Sequence, residues 1–275
     1  MQYQMINLAF ATLILRAVAF PSPTPVKHVV SKRAELPASA GSQVLSAVQV
    51  IAAGETFDGG LKTFDRGVEC TGQAEGGESD AVFNIEAGGS LSNVIIGPNQ
   101  LEGIHCQGGC TLTNVWWADV CEDAFSIKIQ DASETTTING GGAFAAADKV
   151  IQHNGAGKVV INDFYVEDFG KLYRSCGNCK VSNERHVELN GITAVNGGSL
   201  VGINSNFGDT AILSGISATE VDDQCVVFEG VSSGSEPTEI GVDIAPACTF
   251  TDGATASSSA GNNTIGAGFR ARLRN

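Results

Sequence analysis

Six residues of this sequence combine types and spacings suited to chemistry: the acids Glu102, Glu122 and Asp123 and the cations Lys149, Lys171 and Arg174. Glu102 precedes GIHC, and Glu122 and Asp123 follow VWWADVC twenty residues later. If one repeat of the fold separates them, three carboxylates converge, and a hard cation with oxygen ligands relieves their repulsion; calcium fits best. Solvated surface acids are the plain alternative in a chain with 30 Asp and Glu, and spacing alone supports the two equally. Lys171 stands 22 residues after Lys149, again about one repeat, and Arg174 follows three residues on in DFGKLYRSCGNC. Ordinary surface charge is weakened here as an explanation, because cations are scarce and these ones sit among Gly, Cys and aromatics. His105, His153 and His186 read as hydrogen-bonded structural residues, and no GxSxG, HExxH or P-loop points to another reaction.

These residues need a scaffold that repeats. Segments LSNVIIG, LTNVWWAD, TINGGG, VINDFYV, LNGITAV and LSGISAT place Asn93, Asn114, Asn139, Asn162, Asn190 and Ser214 at intervals of 21, 25, 23, 28 and 24 residues. A second series in phase with it runs AVFNIEAG, GIHCQG, AFSIKI, KVIQHNG, LVGINSN and CVVFEG. Two short β-branched strands per repeat, punctuated by Gly or Asn and without helical periodicity, predict stacked coils. The expected fold is all-β, a single-domain right-handed parallel β-helix of about seven turns, with the Asn residues stacked as a buried column in αL geometry. A β-sandwich accounts for short strands but not for the in-phase Asn series.

The N-terminal residues read as processing segments. Met5 to Phe20 is apolar, too short to span a bilayer, and ends in Ala17-Val18-Ala19, so residues 1–19 read as a secretory signal. A Pro-rich segment then closes on Lys32-Arg33, which makes 20–33 a propeptide and 34–275 the catalytic domain of an extracellular protein. Removal of 1–33 leaves 12 cations against 30 acids, a net charge of −18. That balance argues against nucleic acid and anionic membranes. Seven of the 12 cations nevertheless fall within 58 residues, from Lys128 to Arg185, which leaves room for an acidic polymer. Eight cysteines behind a signal peptide favour disulfides, with 105 pairings open, and Cys176-Cys179 reads as a structural bridge. Beyond Gly230 the pattern loosens into a surface loop and a C-terminal wrap, with a sequon at Asn262 and a solvated tail carrying Arg270, Arg272 and Arg274.

From about residue 45 to 230 the sequence resembles the pectate lyases of the third polysaccharide lyase family. The resemblance is carried by FDGGLKTFDRG, LSNVIIGPNQLEGIHC, NVWWADVCEDA, INGGGAFAAADKVIQHNG, DFGKLYRSCGNC and VGINSNFGD. It implies a compact, secreted, calcium-dependent β-helix active on polygalacturonate, expected here as a monomer. By motif, the calcium ligands map onto Glu102, Glu122 and Asp123, with Glu102 standing where the family commonly has Asp. The catalytic cations map onto Lys149, Lys171 and Arg174. Asp148, alone in AADK where many members have a second Asp, is a further expected metal ligand.

The implied reaction is β-elimination: a base takes the C5 proton of a galacturonate and the C4 oxygen leaves. A neutral lysine is easier to obtain than a neutral arginine, so Lys149 is the expected base, with Arg174 second. A non-catalytic carbohydrate-binding solenoid and a polygalacturonan hydrolase with paired carboxylates are the competing readings.

Overall fold

The computed structural model describes residues 34–251; the signal and propeptide segments, Asn262 and the tail arginines lie outside them. The chain in this region winds into a right-handed parallel β-solenoid whose strands stack coil on coil in three ladders. The first ladder runs through Gln49–Ile51, Ala81–Glu86, Glu102–Gln107, Asp123–Ile129, then 149–153, 171–175, 199–204 and 223–228. That is eight rungs, one more than the repeat count predicts. The extra coil escaped the Asn series because Asp58 occupies the corresponding place in it, paired with Ser92 beside Asn93.

Alternation along each strand builds the core. In the first ladder Ile104, Phe125, Ile151, Tyr173, Val201 and Cys225 follow one another in register and are all buried. Each such Ile, Val or Phe contributes roughly 1.5–3 kcal/mol relative to an exposed one. The neighbouring inward column starts apolar with Cys106 and Ile127 and then turns polar at His153 and Ser175. Side chains between these columns point outward along a ridge, with rungs about 4.7–4.9 Å apart.

The Asn column exists but differs from expectation. Asn93 and Asn114 adopt positive φ, 52° and 53°, and Asn114 donates to Asn93, which donates to Asp58. The later run of Asn139, Asn162 and Asn190 also forms a chain of side-chain hydrogen bonds. It is shifted by one residue, however, since Asn139 pairs with Thr113 rather than Asn114. Positive φ then passes to the next residue, Gly140, Asp163, Gly191 and Gly215. All of these Asn are half-buried rather than buried.

The eight cysteines pair as Cys70–Cys121, Cys106–Cys110, Cys176–Cys179 and Cys225–Cys248. The region after Gly230 is more than a surface loop and wrap. Thr238–Val242 pairs antiparallel with the last rung of the first ladder, and Cys248–Thr251 caps another ladder in parallel.

Candidate active site

The ridge of the first ladder carries the site. Asp123, Lys149, Lys171, Ser199 and Asp223 occupy one register position on five consecutive rungs. Ser126, Gln152, Arg174 and Gly202 occupy another, three residues along. The 22-residue interval between Lys149 and Lys171 therefore places them side by side on adjacent rungs, as predicted. They border a cleft of about 380 Å³ together with Asp148, Gln152, Arg174 and Phe228. The Cys176–Cys179 turn and Glu236 and Pro237 of the loop after Gly230 form its far wall.

The cations differ in what holds them. The Lys149 amine donates to Asp148 Oδ2 at 2.5 Å and lies 3.3 Å from Asp123 Oδ1 and 3.7 Å from Glu122 Oε1. Lys171 donates to the other oxygen of Asp148 at 3.0 Å. Burial alone would lower the proton affinity of Lys149, but the charges of Asp123, Asp148 and Glu122 outweigh it and raise the pKa. The nearest charged neighbours of Lys149 are carboxylates, not the cations that would ease the loss of its proton. Burial likewise opposes ionisation of Asp148, yet the hydrogen bonds and charges of Lys149 and Lys171 hold its carboxyl below the usual range.

Among the described residues no carboxylate pairs with Arg174. The residue is 9% exposed, and its guanidinium stacks over the Phe228 ring with 3.9 Å between Cζ and the ring centroid. Nη1 is buried without a hydrogen-bond acceptor. Desolvation brings its pKa down to about 10, only partly offset by the charge of Asp209.

The three acids expected to converge do so in part. Glu102 is fully buried, and its oxygens accept from Gly76 N at 2.8 Å and pair with His105 Nε2 at 2.9 Å. Among the described residues no group of three or more His, Cys, Asp or Glu is arranged to hold a metal ion. Glu122 and Asp123 do present ligand atoms for one: Glu122 Oε2 is buried with no hydrogen-bond partner, and the buried Asp123 Oδ1 has the Lys149 amine at 3.3 Å as its neighbour. Burial, then the charge of Glu102 and Glu75 working against that of Lys149, pushes the Glu122 carboxyl up. Burial pushes Asp123 up to about 8 despite Lys149. Two adjacent desolvated carboxyls, one with an oxygen that has no hydrogen-bond partner, fit a hard, oxygen-seeking cation.

Beneath the ridge lies a polar network that the sequence did not announce. Arg185, fully buried, donates to the carbonyls of Gly155, Cys176, Asn183 and Asn154. Asp209 accepts from Ser175 Oγ, from the backbone of Asn204 and Arg185, and from Asn204 Nδ2. His153 bonds Tyr173 Oη at 2.8 Å and the Ala156 carbonyl at 3.0 Å, and burial lowers its pKa to about 3. The strand carrying Lys171 and Arg174 is thereby pinned from inside at Tyr173 and Ser175. The structural role expected for His153 agrees with this, whereas His105 serves one of the site acids directly.

Comparison with known proteins adds the family. Residues 33–235 match the family model described as Pectate lyase. A probable pectate lyase D of Emericella nidulans is 52% identical over 257 residues, covering 90% of this chain and 97% of its own. Pectate lyase H of the same organism is 55% identical over 219 residues, 79% of this chain and 83% of its own. Among solved structures, the catalytic domain of pectate lyase PelI from Erwinia chrysanthemi superposes with a TM-score of 0.64 at 28% identity, covering 77% of this chain and 95% of its own. PelI in complex with tetragalacturonic acid gives a TM-score of 0.58 at 29% identity, covering 71% and 67%. With a family match across most of the chain, half-identical relatives and the same solenoid, this chain belongs to the pectate lyases of the third polysaccharide lyase family and is an enzyme of that kind.

Proposed function

We propose that the protein is a secreted, monomeric, calcium-dependent pectate lyase that cuts the α-1,4-linked polygalacturonate of plant cell-wall pectin by β-elimination, releasing 4,5-unsaturated oligogalacturonides. Cleavage of residues 1–19 and 20–33 would leave a mature chain starting at Ala34. The observation that carries this reading is the adjacency, on neighbouring rungs of one ridge, of Lys149, Lys171 and Arg174 with the two buried acids Glu122 and Asp123. An acidic polymer needs cations at its carboxylates, and PelI binds tetragalacturonic acid on the same type of scaffold.

The reaction removes the C5 proton and expels the C4 oxygen as the 4,5 double bond forms. Glu122 and Asp123, with Glu102 and Asp148 beside them, would hold calcium. Bound there, calcium would supply positive charge for the substrate carboxylate and the enolate-like charge that develops, and would offset the acidic charge now holding the Lys149 proton. Lys171 and Arg174 donate hydrogen bonds to the substrate carboxylate. Lys149 takes the C5 proton once its amine is neutral. A second reading, with Arg174 as base, is favoured by two features: its buried Nη1 has no acceptor, and its pKa is brought down to about 10. Both assign the enzyme an alkaline optimum.

Incubation with polygalacturonate and calcium tests the reading. Ultraviolet-absorbing unsaturated product is expected; reducing ends without it would mean a hydrolase, and neither would mean a binding protein. Chelation should abolish cleavage and calcium should restore it, while full turnover in excess chelator would remove the metal from the mechanism. Low-ester pectate should be cut faster than highly methylated pectin, because esterification removes the charge on which Lys171 and the cation act.

A further inference from the structure

Arg174 reaches its position by an unusual route. It starts on one rung, lies down along the solenoid axis over Gly202 on the next, and ends on the Phe228 ring, which belongs to the rung after that. A Cβ at position 202 would stand 2.9 Å from Arg174 Cδ and 3.3 Å from Phe228 Cε2, so the absent side chain is what lets the arginine pass. On the other side Gly177 closes in, where a Cβ would meet Arg174 Nη2 at 2.8 Å. The guanidinium is thus confined between two glycines and one aromatic face. Lys149 and Lys171, one rung away or level with it, are oriented instead by Asp148, at the expense of one of their hydrogen-bond donors each.

A π face can orient and attract a guanidinium without accepting its in-plane N–H groups, because the attraction is to the ring quadrupole. A carboxylate in the same place would occupy those N–H groups and compete with substrate. We propose that Phe228 is a positioning residue for the lyase reaction: across Gly202 it seats Arg174 flat at the wall of the cleft without occupying its in-plane N–H groups, which are left for the galacturonate carboxylate. Phe228 acts through Arg174, and the requirement is for an aromatic face at this place rather than for apolar bulk.

Resting on the participation of Arg174 in the reaction, the test compares Phe228→Leu, Phe228→Tyr and Phe228→Trp with Arg174→Ala on polygalacturonate with calcium. Misplacement of a reacting group by about 1 Å typically costs ~10²-fold, so a partial loss of seating should lower kcat in Phe228→Leu by roughly ten-fold. KM should change by less than about two-fold, since a seated arginine contributes more in the transition state than in the ground state. Tyr and Trp, which restore the ring, should restore kcat to within about three-fold. In an Arg174→Ala background the Phe228→Leu loss should vanish. Should Phe228→Leu keep kcat within two-fold while Arg174→Ala is impaired, the seating role is wrong and the role of Arg174 stands. A fully active Arg174→Ala variant would overturn both. Equal impairment of Leu, Tyr and Trp, or a loss that persists without Arg174, would mean that Phe228 matters only for packing.

Discussion

Lys149 and Arg174 face the same cleft from adjacent rungs, yet their surroundings are opposed. Lys149 is gripped by three carboxylates that strengthen its hold on a proton. Arg174 rests on a hydrocarbon ring with a donor left over, and burial weakens its hold. The lysine is organised to yield when charge around it changes, and the arginine to stay where it is. One cleft therefore holds a cation tied to the charge of its acidic neighbours and another that is not, and substitution can separate them.

The largest effect should come from removing either. General-base catalysis typically contributes ~10²–10⁴-fold, so Lys149→Ala is expected to lose activity on that scale, beyond the modest fall in melting temperature that follows from removing the cation shared by Glu122, Asp123 and Asp148. If Lys149→Ala turns over near normally while Arg174→Lys is dead, the base is Arg174. Next comes the buried counterpart of Arg174: Arg185→Ala strands four backbone carbonyls in the interior and should cost about 3 kcal/mol or more of unfolding free energy, read by denaturant titration. A loss below about 1 kcal/mol would mean that water replaces the guanidinium.

Acidity of the site gives a smaller, signed effect. Asp123 is pushed up to about 8 by burial, above its ordinary 3.8, so in chelator the folded chain holds a proton that the unfolded chain has released over that range. Stability must then fall as pH rises from about 4 to 8, by about 2–4 °C of melting temperature for each ~1 kcal/mol. Calcium or Asp123→Asn should flatten the dependence, and a melting temperature that rises through this window in chelator would reverse the sign. Asp148→Asn removes the partner shared by the two lysines and should move the ascending limb of the rate profile to lower pH if Lys149 is the base, but leave it in place if Arg174 is. Lys158, paired with Glu188 at 2.8 Å and distant in role, marks the floor: Lys158→Ala should stay within a few-fold of normal rate.

Sequence spacing made the ridge legible because a stacked coil converts an interval of one repeat into adjacency, as the pairing of Lys149 with Lys171 confirms. The solenoid followed from the same regularity. Side-chain direction did not, since Glu102 turns to His105 and Gly76 although its interval to Asp123 suited convergence. Arg185 and Asp209 were invisible because nothing in NERHVELN or NFGDT separates an interior charge from a solvated one until the carbonyls around it are known. Phe228 stood in a segment recognised only as a strand, and its partner lies 54 residues away in sequence. The slip in the Asn series was hidden for a related reason: spacing of 25 instead of 21 residues can lengthen a loop or displace a register, and the intervals do not say which.

The amide chain from Asn114 through Asn93 to Asp58 has a direction, since every link donates toward the N-terminal end of the stack. Such a filament needs a terminator at each end. A carboxylate, which can only accept when ionised, receives the last donor, and the indole of Trp116 supplies the first acceptor with a proton at 2.8 Å. Growth by inserting identical coils would therefore be allowed within the run but not beyond its ends, so Asp58 and Trp116 act as the punctuation that fixes how long this column is.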